Sequence, residues 1–180
     1  MNDAATLDAY GVLTEPTTLK IQRLLPGPIE RVWAFLTESE KRAKWLASGA
    51  MDLRSGGKVE LNFSHEMISP EETPAKYKDM PMGFTGTVIR CEPPKLLQFH
   101  WMESHGSNSE VTWELAERGA QVLFTVTHRR LEDRAALLSV SGGWDVHVGI
   151  LEDVLTKRAP RGFWSSHEKR EQEYARRFPE

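Results

Sequence analysis

The chain has 180 residues, 39% of them hydrophobic and 27% charged, with a formal net charge of −3 at pH 7. That is enough chain to bury the core of one domain, and the composition is that of a folded globular protein rather than a disordered one. The charge balance provides no general attraction to nucleic acid or anionic membrane. No apolar run approaches the roughly 20 residues of a spanning helix. The first residues lack the basic start and apolar stretch of a secretory signal. Cys91 is the only cysteine, which rules out an internal disulfide framework and fits a reducing compartment, so a cytoplasmic location is expected.

Residues 1–15 carry little hydrophobic pattern and are expected to form a mobile or loosely docked arm. Thr18 to Leu25 reads as a strand, with Leu19, Ile21, Arg23 and Leu25 on one face. Pro26-Gly27-Pro28 ends it, and Pro28 suits the first turn of a helix. Ile29, Val32, Trp33 and Leu36 then recur at helical spacing, and Ser39 is a candidate N-cap for a second short helix carrying Trp45 and Leu46.

Beyond these helices the period becomes strand-like. Ala50 to Leu53 is a short strand candidate, and Lys58 to Phe63 alternates after a Ser55-Gly56-Gly57 turn. Residues 64–81, with Pro70, Pro74 and Pro81, read as a long loop of the kind that forms lids or binding elements. Further strands are expected at Phe84 to Cys91, Leu96 to Met102, Glu110 to Leu115 and Gln121 to Arg129. Leu137, Val140, Trp144, Val148, Leu151 and Leu155 then mark one apolar face of a long helix, which Gly142-Gly143 is expected to bend or split. A final short helix is signalled by Ser165 with Glu168, a capping-box spacing, followed by Tyr174 and Phe178.

Strands grouped in a run, with helices before and after, indicate an α+β architecture. One amphipathic helix cannot cover a wide flat sheet. The expected fold is therefore a helix grip: a curved antiparallel sheet wrapped around a long C-terminal helix, with two short helices after the first strand and a cavity between sheet and helix.

Several segments match a known pattern in order and spacing. Pro26 to Trp33 resembles an "APxExVW" opening, and Trp45-Leu46 the tryptophan closing the helical pair. Arg54 to Gly57 is similar to a "GG" turn, Glu92 to Trp101 to "xPPxxLxFxW", and Gly143 to Leu155 to "GWxxHLxxLxxxL". Over roughly residues 18 to 158 the chain thus resembles the SRPBCC superfamily of START, pollen-allergen and polyketide-cyclase-like proteins. Within that superfamily it is most similar to the AHSA-type branch, named for the C-terminal domain of a eukaryotic heat-shock chaperone ATPase activator. The resemblance implies a helix-grip domain at 16–158 and a C-terminal extension at 159–180. It also implies a chaperone as one partner, although the separate N-terminal domain through which the activator engages the chaperone has no counterpart here.

No catalytic signature emerges. The six histidines form no metal-ligand spacing, no phosphate loop or nucleophile elbow occurs, and Cys91 before Pro93 reads as a packing residue. Neither a cofactor nor a metal is expected. Arg23 and His128 stand in phase with apolar neighbours, so each is expected to hold a ligand's polar end or to sit near a strand end beside Glu30 or Asp133. His147, one turn beyond Trp144, is expected either to line the cavity or to cap helix packing. Phe63, Phe84, Phe99, Trp101, Trp113, Phe124 and Trp144 supply rings for a cavity wall, with Val148 and Leu151 behind them.

The function these residues point to is binding of a small apolar or amphipathic ligand. The alternatives are a protein-interaction or stress-response module, and a cyclase or hydrolase using the same cavity. The charges of the C-terminal segment alternate in sign as on a solvated face, which argues against nucleic acid, and Trp164, Tyr174 and Phe178 are expected to dock on the domain or on a second subunit of a homodimer.

Overall fold

The computed structural model describes residues 7–80 and 82–180. Seven strands form one antiparallel sheet: β1 (Val12–Glu15), β2 (Thr18–Pro26), β3 (Lys58–Asn62), β4 (Gly83–Glu92), β5 (Leu96–His100), β6 (Glu110–Arg118) and β7 (Gln121–Arg129). Their spatial order is β1-β2-β7-β6-β5-β4-β3. The helices are α1 (Ile29–Thr37), α2 (Ser39–Arg42), α3 (His65–Ile68), α4 (Arg134–Leu155) and α5 (Phe163–Arg177). The expected α+β helix-grip architecture is what the chain adopts, with the curved sheet closed over α4.

Strand alternation sets the inner face. Leu19, Ile21 and Leu25 on β2, Leu97 and Phe99 on β5, Val111, Trp113 and Leu115 on β6, and Val122, Phe124 and Val126 on β7 are all buried. Helix α4 starts where the Asp133 carboxylate accepts the amide of Ala136 at 2.8 Å, satisfying one of its free first-turn donors.

Some local expectations give way. Residues 12–15, assigned to the mobile arm, pair with β2, because Val12 and Leu13 find ladder partners in Lys20 and Leu19; residues 1–6 lie outside the described residues. Ala50 to Leu53 contributes only a bridge at Met51. Ser39 caps no helix: its hydroxyl accepts the amide of Gly49 instead. The 64–81 segment folds partly, into α3 and a single turn at Ala75–Tyr77, while Pro81 lies outside the described residues. Gly142-Gly143 neither bends the chain out of the helix nor splits it, since α4 runs unbroken for 22 residues.

The C-terminal helix is not short. It spans 15 residues from an N-cap at Gly162, and the Ser165–Glu168 capping box does not form; the Ser165 hydroxyl and amide turn instead to the Glu71 carboxylate. Helix α5 docks on its own domain along α4. Phe163, Tyr174 and Phe178 are buried there, and Gly142 faces the backbone of α5 at Glu171. Asp153 fastens the intervening turn by two guanidinium bonds from Arg161, at 2.8 and 2.9 Å, and one from its amide at 3.2 Å.

Candidate functional site: an aromatic cavity between sheet and helices

The deep half of the grip is filled. Trp113 lies 6.2 Å from Trp144 and 5.1 Å from Phe99 between ring centroids, and Trp45 adds a third indole 6.0 Å from Trp113. Phe99, Trp113 and Phe124 are at most 1% exposed, and Val148 and Leu151 are likewise buried. These five side chains, expected to line a ligand site, form solid core instead, because the inward faces of β5, β6 and β7 lie directly under α4.

The outer half stays open. A cavity of about 300 Å³ lies between β4, the end of β5, α4 and α5. Its position follows from helix geometry: Val140, Gly143, Trp144 and His147 are spaced i, i+3, i+4 and i+7, so α4 turns one stripe toward it. Opposite stand Phe63, Phe84 and Trp101; Phe84 and Trp101 pack edge to face at 4.8 Å. A side chain at Gly143 would meet no atom of another element within 4 Å, so the helix wall is indented there. Of the residues expected to line the site, Phe63, Phe84, Trp101, Trp144 and His147 do so.

The rest of the wall was not anticipated. Helix α5 contributes Phe163, Trp164, His167 and Glu171, and the segment before β4 contributes His65, Tyr77, Met80 and Met82. Tyr77 stacks on Trp164 with ring centroids 4.6 Å apart. That pair is shared with a larger, open groove of about 570 Å³ on the outer side, whose walls carry Glu71, Glu72, Lys76 and Glu168. The inner cavity is the more apolar of the two, with walls mainly of rings and methionines, while the groove carries several carboxylates and a lysine.

Three histidines border the cavity, and burial holds each below its ordinary value. His147 is pushed down to about 3 and His65 to about 4, in both cases chiefly by loss of solvent. His147 Nδ1 donates to the backbone carbonyl of Trp45 at 2.8 Å, so this histidine both lines the cavity and ties α4 to the chain after α2. His65 Nδ1 is shielded from solvent and has no hydrogen-bond partner among the described residues.

Arg23 and His128 are placed elsewhere. Arg23 meets a carboxylate on α4, that of Asp145 at 3.5 Å, rather than Glu30 or Asp133. Asp145 in turn accepts from the Tyr174 hydroxyl at 2.6 Å and pairs with Arg170 at 3.3 Å, so Arg23 belongs to the docking of α5. His128 is fully buried rather than at an open strand end. Trp144 Nε1 donates to its Nδ1, and its Nε2 faces Ser109 Oγ at 2.9 Å, so its bonding capacity is spent inside the protein. Cys91 packs partly buried against the core, where desolvation raises its thiol above the usual value.

Comparison with known proteins decides the family. The model of the family described as Activator of Hsp90 ATPase homolog 1-like protein matches residues 26–156. The chain belongs to this family. Among solved structures of the same fold, the solution NMR structure of a Bordetella parapertussis protein is 42% identical, with a TM-score of 0.80 over 100% of this chain and 97% of that one. CalU16 from Micromonospora echinospora, as a crystal structure, shares 22% identity and a TM-score of 0.66 over 88% of this chain and 86% of its own. A conserved protein of unknown function from Enterococcus faecalis shares 16% identity and the same TM-score of 0.66, over 94% of this chain and 91% of its own. Comparison with curated proteins finds no match. In this member of the family, none of the described helices is long and apolar enough to cross a membrane.

Proposed function

We propose that this protein binds a small, largely aromatic or apolar molecule in the cavity between β4, α4 and α5. The observation that carries this reading is the open stripe at Val140, Gly143, Trp144 and His147, facing Phe63, Phe84 and Trp101 across about 300 Å³. Apolar pockets with a few polar groups in the wall are the usual form of small-molecule sites. Membership of a family whose fold encloses cavities of this kind supports the same reading.

The energetics set the affinity to look for. A ring system hiding roughly 200 Å² of apolar surface, at about 25 cal/mol per Å², contributes about 5 kcal/mol. Association costs offset part of that, so a fragment-sized ligand binds in roughly the millimolar range.

Amide-shift mapping with 1-naphthol tests the proposal. The expected result is a saturable set of shifts at Gly143, His147, Trp101 and Phe163. Shifts confined to the outer sheet face around Gln22, Thr125 and Glu114, or no saturable shifts at all, would rule it out.

A further inference from the structure

The cavity wall carries chemical information about its ligand beyond apolarity. A carbonyl oxygen accepts hydrogen bonds and never donates them, so the 2.8 Å contact of His147 Nδ1 with the Trp45 carbonyl places the ring proton on Nδ1. Burial keeps this imidazole neutral. Its Nε2 therefore holds a lone pair and no proton, and no donor among the described residues engages it. From the geometry we infer that the ligand carries a hydroxyl or N–H that donates to His147 Nε2, making the favoured class a neutral aromatic or alicyclic alcohol, phenol or amide rather than an acid. This inference rests on the cavity being the binding site.

Electrostatics supports it from a second direction. A carboxylate ligand would set its own acceptors against the lone pair of Nε2, with no cationic imidazole to compensate. His65, whose ring centroid is 5.9 Å from that of His147, is also held neutral by burial. Glu171, in the same wall, adds a negative charge that repels an anion. A hydroxyl, which both donates and accepts, suits such a corner; a carboxylate, an ether or a plain hydrocarbon does not.

The test compares three ligands of one ring system by calorimetry at pH 7: 1-naphthol, 1-methoxynaphthalene and 1-naphthoate. The inference predicts that 1-naphthol binds at least about tenfold more tightly than either of the others, as expected when a buried acceptor is left unpaired. It also predicts that His147→Phe removes the preference. A readout independent of that variant's folding is the nitrogen-15 spectrum of the wild-type histidines, in which the Nε2 resonance of His147 moves on adding 1-naphthol and stays in place with 1-methoxynaphthalene. Equal binding of all three compounds, or tightest binding of 1-naphthoate, would overturn the donor requirement while leaving the cavity assignment standing. Failure of all three to bind would overturn both.

Discussion

The Trp144 indole N–H donates to Nδ1 of His128 across 3.1 Å, joining helix α4 to strand β7 inside the core. With Nδ1 accepting, the ring proton sits on Nε2, beside Ser109 Oγ. Both nitrogens are committed, and burial pushes this histidine down to about 3.

Stability should therefore fall on mild acidification. His128 and His147 are held near 3 and His65 near 4 in the folded chain, whereas each titrates near about 6.5 when unfolded. Between these values the unfolded chain binds protons that the folded chain refuses, so stability is lost as pH falls below about 6.5. Each fully excluded proton contributes a slope of about 1.4 kcal/mol per pH unit. Urea midpoints measured from pH 7 to pH 5 should drop steeply, and less so in His128→Asn. A flat profile would contradict neutral buried rings.

Docking of α5 depends on one buried hydroxyl. Tyr174 donates to Asp145 and accepts the Gly11 amide, both at 2.6 Å. Tyr174→Phe keeps the ring but leaves a buried carboxylate and an amide each short of a partner, a change expected to cost about 1–3 kcal/mol. Denaturant unfolding should show that loss, with faster amide exchange at Gly11 and along α5.

Arg42 organises the turn that delivers Trp45 and Leu46 to the core. Fully buried, it donates to the carbonyls of Leu36 at 3.2 Å, Thr37 at 3.1 Å and Ala47 at 3.1 Å, and also to that of Gly49. Burial lowers its guanidinium to about 10, which still leaves it charged at pH 7. Arg42→Met strands these carbonyls and is expected to cost about 3 kcal/mol or more. An unfolding midpoint within error of wild type would show that the carbonyls are satisfied otherwise.

The sheet and the gripped helix were legible because two-residue and 3.6-residue periods are local signals: the alternation in β6 and β7 and the apolar stripe of α4 read directly from sequence. The site was legible in half. Phe84, Trp144 and His147 sit on periodic elements and Trp101 directly follows one, β5, and their side chains follow. Which aromatic faces open space and which is core depends on where the elements stack, so Trp113 and Trp101 look alike in sequence and differ in the fold. Tyr77, Met80 and Met82 come from an aperiodic segment with no pattern to read. Trp164, His167 and Glu171 did carry a helical spacing, but the capping-box signal at Ser165 drew the start of α5 three residues too late. Arg23 and Arg42 show the remaining limit: their partners, Asp145 and the backbone carbonyls, are fixed only by tertiary packing.

The proposed function requires ligand to occupy the indentation at Gly143. Tryptophan fluorescence titration with 1-naphthol, comparing wild type with Gly143→Leu, tests it most directly, because Trp101, Trp144 and Trp164 line the same space and the new side chain meets no neighbouring element at its Cβ. Binding at this indentation predicts saturable quenching in the wild type, and affinity reduced at least about tenfold in a variant whose thermal midpoint is preserved. Equal affinity in a folded Gly143→Leu protein would contradict it.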